Sequence, residues 1–414
     1  MNFFPYRDGT LCAENVPLPD IARQYGTPAF VYSRAAIEHG YRDFSEACSG
    51  HDVLICYSVK ANSNLAVLNL LARLGSGFDI VSGGELARVL AAGGGADKIV
   101  FSGVGKSETE LRDALEAGVM CFNVESEGEL DRLASIAAGM KKTASVSLRV
   151  NPDVDPRTHP YIATGLRESK FGIAYDAAAP LYRRAAKLPG IRVSGIDVHI
   201  GSQITEIAPF VAALEKLLEF IDALDATGVH LDHLDLGGGL GIRYRDEKPP
   251  ELKDYLGQIF QRLGRRKLRL LFEPGRSLVG NTGVLLTRVE YLKHGEAKNF
   301  VVVDAAMNDL IRPALYDAWH DVLPVTQREA GARLYDVVGP VCESADFLAK
   351  ERTLAVAPGD LLAIMSAGAY GMSMSSNYNS RTRPPEVLVD GANPWLVRER
   401  ERTESLFASE RLLP

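Results

Sequence analysis

The chain has 414 residues, 46% of them hydrophobic and 24% charged, with a formal net charge of −7. The length predicts two domains, because single cores stop growing at roughly 250–300 residues. The acidic balance excludes a basic nucleic-acid-binding face, and no apolar run reaches the roughly 18 residues of a membrane span. The opening MNFFPYRDGT has no basic segment followed by an apolar run, so no secretory leader is expected. Five widely spaced cysteines, Cys12, Cys48, Cys56, Cys121 and Cys342, form no Cys-x-x-Cys pair. They imply reduced thiols and a cytoplasmic setting.

In chain order, short apolar runs alternate with helical patterns. Val53–Val59, Gly77–Val81, Lys98–Ser102, Met120–Val124, Ser145–Asn151, Val193–Ile200, His233–Leu236 and Leu268–Phe272 read as strands. Asn64–Leu74, Gly84–Ala92, Ser107–Ala117, Ser126–Ala138, Asp176–Leu188 and Ala208–Thr227 read as helices between them. Strands separated by helices pair in parallel through crossovers, and eight such units predict a (β/α)8 barrel. After about residue 280, Val284–Leu292, Asn299–Asp304, Arg333–Val338 and Asp360–Met365 read as strands with turns and little helix. This predicts a second, β-rich domain, with the first thirty residues packing in it. The expected limits are 35–281 for the barrel, and 1–34 with 282–414 for the β-rich domain. The charged run Arg398–Arg402 reads as a solvated face.

A barrel of this kind keeps its chemistry at the carboxyl ends of its strands. There the chain places Lys60, Asp79, His199 with Ser202, Gly237-Gly238-Gly239, and Glu273-Pro274-Gly275-Arg276. Alone, a lysine closing an apolar strand reaches for solvent. At a barrel mouth it is a candidate Schiff-base nucleophile, because burial weakens an ammonium's hold on its proton. The three glycines make either a plain tight loop or a backbone nest for a phosphate. The habitual phosphate site of such barrels, after strands seven and eight, favours the nest. Gly275 permits close backbone approach to a ligand. Gly103-Val104-Gly105-Lys106-Ser107 imitates part of a P-loop, but Val100 stands where that motif needs glycine, so no ATP site is expected. No metal-ligand spacing stands out.

Several segments together resemble the fold-type III, alanine-racemase-like pyridoxal-phosphate enzymes, in their decarboxylase branch. They are Tyr57-Ser58-Val59-Lys60-Ala61-Asn62, Phe78-Asp79-Ile80-Val81-Ser82-Gly83-Gly84-Glu85, Lys170-Phe171-Gly172-Ile173 and His199-Ile200-Gly201-Ser202-Gln203. The triple glycine, Glu273-Pro274-Gly275-Arg276, Gly339-Pro340-Val341-Cys342-Glu343-Ser344 and Gly368-Ala369-Tyr370-Gly371 complete the set, in the family's order. The resemblance implies that Lys60 carries pyridoxal 5′-phosphate as a Schiff base, with His199 against the ring. It implies that Asp79, Ser202, Gly238, Gly239, Pro274, Gly275, Arg276 and Tyr370 surround the cofactor, most of them at its phosphate. Glu273 would pair with the pyridine nitrogen and favour its protonated form, which is the better electron sink when CO2 leaves. Alanine racemases place an arginine there, so Glu273 implies decarboxylation rather than racemisation.

Ile311-Arg312-Pro313-Ala314-Leu315-Tyr316-Asp317 resembles the diaminopimelate-decarboxylating branch, as do Thr158-His159-Pro160-Tyr161-Ile162 and Met374-Ser375-Ser376-Asn377-Tyr378-Asn379. The resemblance places Arg312 and Tyr316 at the substrate's distal end, where an arginine forks onto a carboxylate. Arg276 and Tyr370 would also meet substrate, and Glu343 would accept the distal ammonium. Cys342 would be the proton donor, reaching the site from the second subunit of a homodimer. The implied reaction takes meso-2,6-diaminopimelate to L-lysine and CO2. A relative acting on ornithine, arginine or carboxynorspermidine stays open.

Overall fold

The computed structural model describes residues 2–155, 158, 164, 169–328 and 331–414. Two compact units emerge: Tyr41–Ile242 with Lys248–Ser277, and Met1–Gly40 with Arg243–Glu247 and Leu278–Pro414.

The first unit is the expected barrel. Its strands are Val53–Ser58, Gly77–Ile80, Ile99–Phe101, Cys121–Val124, Ala144–Asn151, Ile191–Asp197, His233–Asp235 and Arg269–Phe272. Each pairs in parallel with the next, and Leu270 returns to Val53 to close the ring. The strands are apolar almost throughout because parallel strands are covered on both faces. The sixth stops at Asp197, which leaves His199 in the following loop.

Three of the barrel's helices start in caps written as Ser-x-x-Glu. Ser82 Oγ accepts from the Glu85 amide at 3.2 Å and Ser126 Oγ from the Glu129 amide at 3.2 Å. Ser107 and Glu110 cap each other reciprocally. Such caps satisfy backbone donors that a helix start leaves open, so these three helices have defined starting points. Leu252–Leu263 is a further helix, absent from the sequence reading.

The second unit is β-rich, as expected. Its main sheet runs Phe347–Leu354, Arg333–Val338, Asn299–Val303, Gly283–His294, Ala29–Ser33, Glu386–Asp390, Asn393–Arg398. Leu361–Ile364 also pairs with Gly283–His294, and Val322–Pro324 with Leu361–Ile364. The core of this unit packs Leu11, Leu18 and Ile21 from the chain's start against Val31, Val284, Leu286, Val325, Ala363, Val387 and Val389. The tail Arg398–Arg402 is not simply a solvated face. Glu401 accepts from the Arg383 amide at 2.9 Å and from Asn377 at 2.7 Å, and Arg400 donates to the Pro28 carbonyl at 2.9 Å. The charges of Arg400 and Glu401 meet backbone and side-chain partners of the unit's own loops.

Candidate active site

At the barrel mouth a 3-10 turn, Val59–Ala61, follows the first strand and carries Lys60. Lys60 Nζ lies 2.5 Å from Asp79 Oδ2, and the Asp79 side chain is wholly buried at the end of the second strand. The Ser58 hydroxyl is 2.9 Å from the same Asp79 oxygen and 3.0 Å from the Glu273 carbonyl. One hydroxyl therefore ties the first, second and eighth strand ends together. Asp79 Oδ1 is buried with no hydrogen-bond partner among the described residues.

The glycine loop folds back on the eighth strand. The Glu273 amide donates to the Gly237 carbonyl at 2.7 Å, and the Gly237 amide to Asp235 Oδ1 at 2.9 Å. A Cβ on Gly238 would lie 2.2 Å from the Glu273 carbonyl oxygen. A Cβ on Gly239 would lie 2.4 Å from the Gly201 carbonyl, and its φ of +108° disfavours any side chain. The Gly238 amide donates to His199 Nδ1 at 3.2 Å, so the neutral imidazole carries its proton on Nε2. Burial, with Arg149 and Lys60 adding to it, pushes the His199 pKa well below the usual imidazole range. Ser202 Oγ accepts from Arg276 Nη2 at 3.1 Å. Pro274 accepts from the Ser58 amide at 3.1 Å, and a Cβ on Gly275 would touch Ser58 Cβ at 3.0 Å.

Beneath the mouth Glu273 meets polar side chains that the sequence reading did not single out. Carboxylate oxygens of Asp197, Asp235 and Glu273 lie within 4.8 Å of one another, all buried and close enough to hold a cation. Asn123 Nδ2 approaches Ser102 Oγ at 3.1 Å and Glu273 Oε1 at 3.4 Å. Arg149 pairs with Glu125 at 2.9 Å and lies 3.9 Å from Asp197. Burial pushes Glu273 well above the usual carboxylate range, with Asp235, Asp79 and Asp197 adding repulsion. Asp235 is pushed up to about 6, chiefly by burial. Protons on these crowded carboxyls relieve their repulsion. Their signal in the sequence is a polar residue inside an otherwise apolar strand. The P-loop imitation carries no free cation either, since Lys106 is buried against Glu129 at 2.8 Å and donates to two carbonyls.

The remaining candidate residues belong to the β-rich unit. Arg312 opens the short helix Arg312–Tyr316 and is buried, its guanidinium 4.6 Å from the Tyr244 ring centroid. Tyr316, partly exposed, ends that helix. Cys342 and Glu343 are exposed in a loop. Asp346 braces that loop by accepting from the Val341 amide at 2.8 Å and the Met307 amide at 2.6 Å. The Cys342 amide donates to Asn379 Oδ1 at 2.8 Å, which links two of the motifs of the resemblance. Tyr370 has a φ of +55°, in the left-handed region. His159 to Ile162 lie outside the described residues.

Residues 34–280 match the family of the pyridoxal-dependent decarboxylase, pyridoxal binding domain. The chain is 62% identical over 414 residues to a diaminopimelate decarboxylase of Pseudomonas aeruginosa, covering 100% of both chains. It is 57% identical over 401 residues to one of Neisseria meningitidis, covering 97% of this chain and 99% of the other. A crystal structure of diaminopimelate decarboxylase from Helicobacter pylori complexed with L-lysine superposes with a TM-score of 0.92 at 41% identity, covering 95% of this chain and 99% of that one. The corresponding M. jannaschii enzyme in co-complex with L-lysine gives 0.95 at 37%, covering 100% and 98%. Fold, barrel-mouth chemistry and similarity along the whole chain agree: the chain belongs to the diaminopimelate decarboxylases, within the pyridoxal-dependent decarboxylase family.

Proposed function

We propose that this chain decarboxylates meso-2,6-diaminopimelate to L-lysine at a site built on Lys60. The observation that carries the reading is the Lys60 amine held on buried Asp79, beside a loop whose glycines admit no side chain. Pyridoxal 5′-phosphate fits these residues. A Cβ at Gly238 or Gly239 would strike backbone, so the loop stays free of side chains there, which lets a phosphate approach its backbone closely. Ser202, Gly238, Gly239, Pro274, Gly275 and Arg276 would hold the phosphate end. Asp79 would keep the Lys60 amine oriented.

When bound, the cofactor takes up the electron pair that departing CO2 leaves behind. The protein's part is to hold charges and protons in place. Glu273, whose carboxyl burial pushes well above the usual carboxylate range, would face the ring nitrogen and share a proton with it. Asn123 and Asp235 orient that carboxyl from below. His199 offers a neutral, desolvated face to an aromatic ring. In the β-rich unit the assignments rest on the family's motifs. Tyr370 would complete the phosphate set. Arg312 and Tyr316 would meet the distal carboxylate, Glu343 the distal ammonium, and Arg276 and Tyr370 the substrate as well. Cys342 would return the proton at Cα, from the partner subunit of a homodimer.

Five free cysteines, four of them buried, support a cytoplasmic setting. Among the described residues no helix is long and apolar enough to cross a membrane. The test is CO2 release from purified enzyme offered meso-diaminopimelate, L-lysine, L-ornithine, L-arginine and carboxynorspermidine. Preference for meso-diaminopimelate is expected. Preference for any other member overturns the substrate, and no release from any overturns the activity.

A further inference from the structure

The Arg312 guanidinium is held by an arrangement that has a chemical direction. Arg312 Nη1 lies 2.8 Å from His320 Nε2. His320 Nδ1 lies 2.8 Å from the Met365 carbonyl oxygen. A guanidinium only donates and a carbonyl only accepts. His320 must therefore accept at Nε2 and donate at Nδ1, which is one neutral tautomer and no other. The Tyr244 ring meets the guanidinium at 4.6 Å and the His320 ring edge-on at 5.3 Å. His320 is wholly buried. Its backbone is fixed as well, because Arg352 Nη2 donates to the His320 carbonyl at 3.0 Å. The neighbouring Trp319 ring has Arg352 at 3.1 Å and Arg245 at 4.2 Å.

A carboxylate in the place of His320 would orient the guanidinium equally well. It would also neutralise the charge and compete with an anionic ligand. A neutral imidazole fixes the direction of Arg312 without itself neutralising the charge. We propose that His320 is a positioning residue for substrate selection, holding Arg312 in the orientation that receives the substrate's distal carboxylate. This rests on the reading of Arg312 given above. Tyr244 supports the same orientation from the guanidinium face through a cation–π contact.

Two substitutions separate the two nitrogens. His320→Gln keeps an acceptor within reach of Arg312 and loses the tie to Met365. His320→Asn keeps the donor to Met365 and falls short of Arg312. KM and kcat are measured on meso-diaminopimelate, together with inhibition by L-lysine, which keeps the distal carboxylate that Arg312 is read to receive, and thermal midpoints alongside. His320→Asn should raise KM for meso-diaminopimelate about ten- to a hundred-fold, the scale of a lost charge-assisted hydrogen bond. The inhibition constant of L-lysine should rise in step while kcat changes little, and His320→Gln should stay within about threefold of wild type. Adding His320→Asn to Arg312→Ala should cost nothing further, since the two act as one unit.

If Arg312→Ala is crippled and His320→Asn is normal, this inference alone falls. If Arg312→Ala is itself normal, the reading of Arg312 falls and takes this one with it. A His320→Asn effect that persists in the Arg312→Ala background also overturns it. Should His320→Asn fail to fold, Tyr244→Leu carries the test. It removes the aromatic face and leaves the His320–Met365 bond, and unchanged KM and unchanged inhibition by L-lysine there would refute the proposal.

Discussion

Lys60 Nζ and Asp79 Oδ2 stand 2.5 Å apart, the carboxylate out of water and the lysine open to the barrel mouth. An ammonium so held is aimed before any ligand arrives. Borohydride reduction of the holoenzyme should therefore attach the cofactor to Lys60 alone, read as a mass shift on one peptide. Lys60→Ala should lose at least about 10³-fold in kcat, the scale of removing a covalent nucleophile. A variant that keeps near wild-type turnover would remove Lys60 from the chemistry.

Backbone contact in the glycine loop gives a second test. Gly238→Ala must push its new Cβ away from a carbonyl oxygen 2.2 Å off. We expect a loss of about 1–3 kcal/mol in stability, as in other overpacked sites, and at least about tenfold weaker binding of pyridoxal phosphate. Gly257→Ala is the control. It lies in the helix Leu252–Leu263 with open space around its Cα, and should stabilise by about 0.5–1 kcal/mol. Thermal melts and an absorbance titration with cofactor decide both. Equal cofactor affinity in the two variants would contradict the nest.

The pH dependence of stability has a sign that can be worked out. His233 is pushed down to about 4 by burial, and its Nε2 lies 2.8 Å from Ser147 Oγ. Its folded pKa is below its unfolded value of about 6.5. The unfolded chain thus takes up the proton first as pH falls. This contribution is complete above about pH 6.5 and is lost on the way down to about 4. Asp235 behaves oppositely, since its raised pKa of about 6 gives stability that fades as pH rises through that value. Comparing wild type with His233→Gln cancels the carboxyls. The stability gap between the two should shrink by about 3 kcal/mol from pH 7 to pH 4. A gap that stays constant in denaturant titrations would show that His233 is not held neutral.

A shared site can be tested by complementation. Lys60→Ala and Cys342→Ala are unfolded, mixed equally and refolded. Half the dimers are then mixed, and each mixed dimer carries one site with both lesions and one with neither. Recovered activity should be roughly a quarter of wild type for symmetric pairing. Background activity, with mixed dimers demonstrated, would place both groups in one chain.

The barrel was readable because its strands are apolar almost throughout and three of its helix starts spell Ser-x-x-Glu. Ile99–Phe101 and Cys121–Val124 need only three or four residues to be recognised. Phe347–Leu354 escaped because Lys350, Glu351, Arg352 and Thr353 give it no apolar alternation. Leu252–Leu263 was missed although Tyr255, Leu256, Ile259 and Leu263 bury one face. Gly257 and a polar opposite face mask that stripe. The barrel-mouth positions of Lys60, Asp79 and His199 follow from a rule about strand ends. Nothing comparable points to Asn123, Arg149 or Asp235, which stand inside strands, or to His320, whose partners Arg312 and Met365 are distant in sequence.

The strand Ala29–Ser33 pairs on one side with Gly283–His294 and on the other with Glu386–Asp390. Phe30, made among the first residues, waits for Glu386, made among the last. During synthesis the whole barrel leaves the ribosome while this strand, buried on every residue in the finished fold, still has two bare hydrogen-bonding edges. Such edges invite pairing with other chains. A truncation that removes Glu386–Asp390 leaves every barrel residue in place, and its expected fate is aggregation through the chain's opening segment.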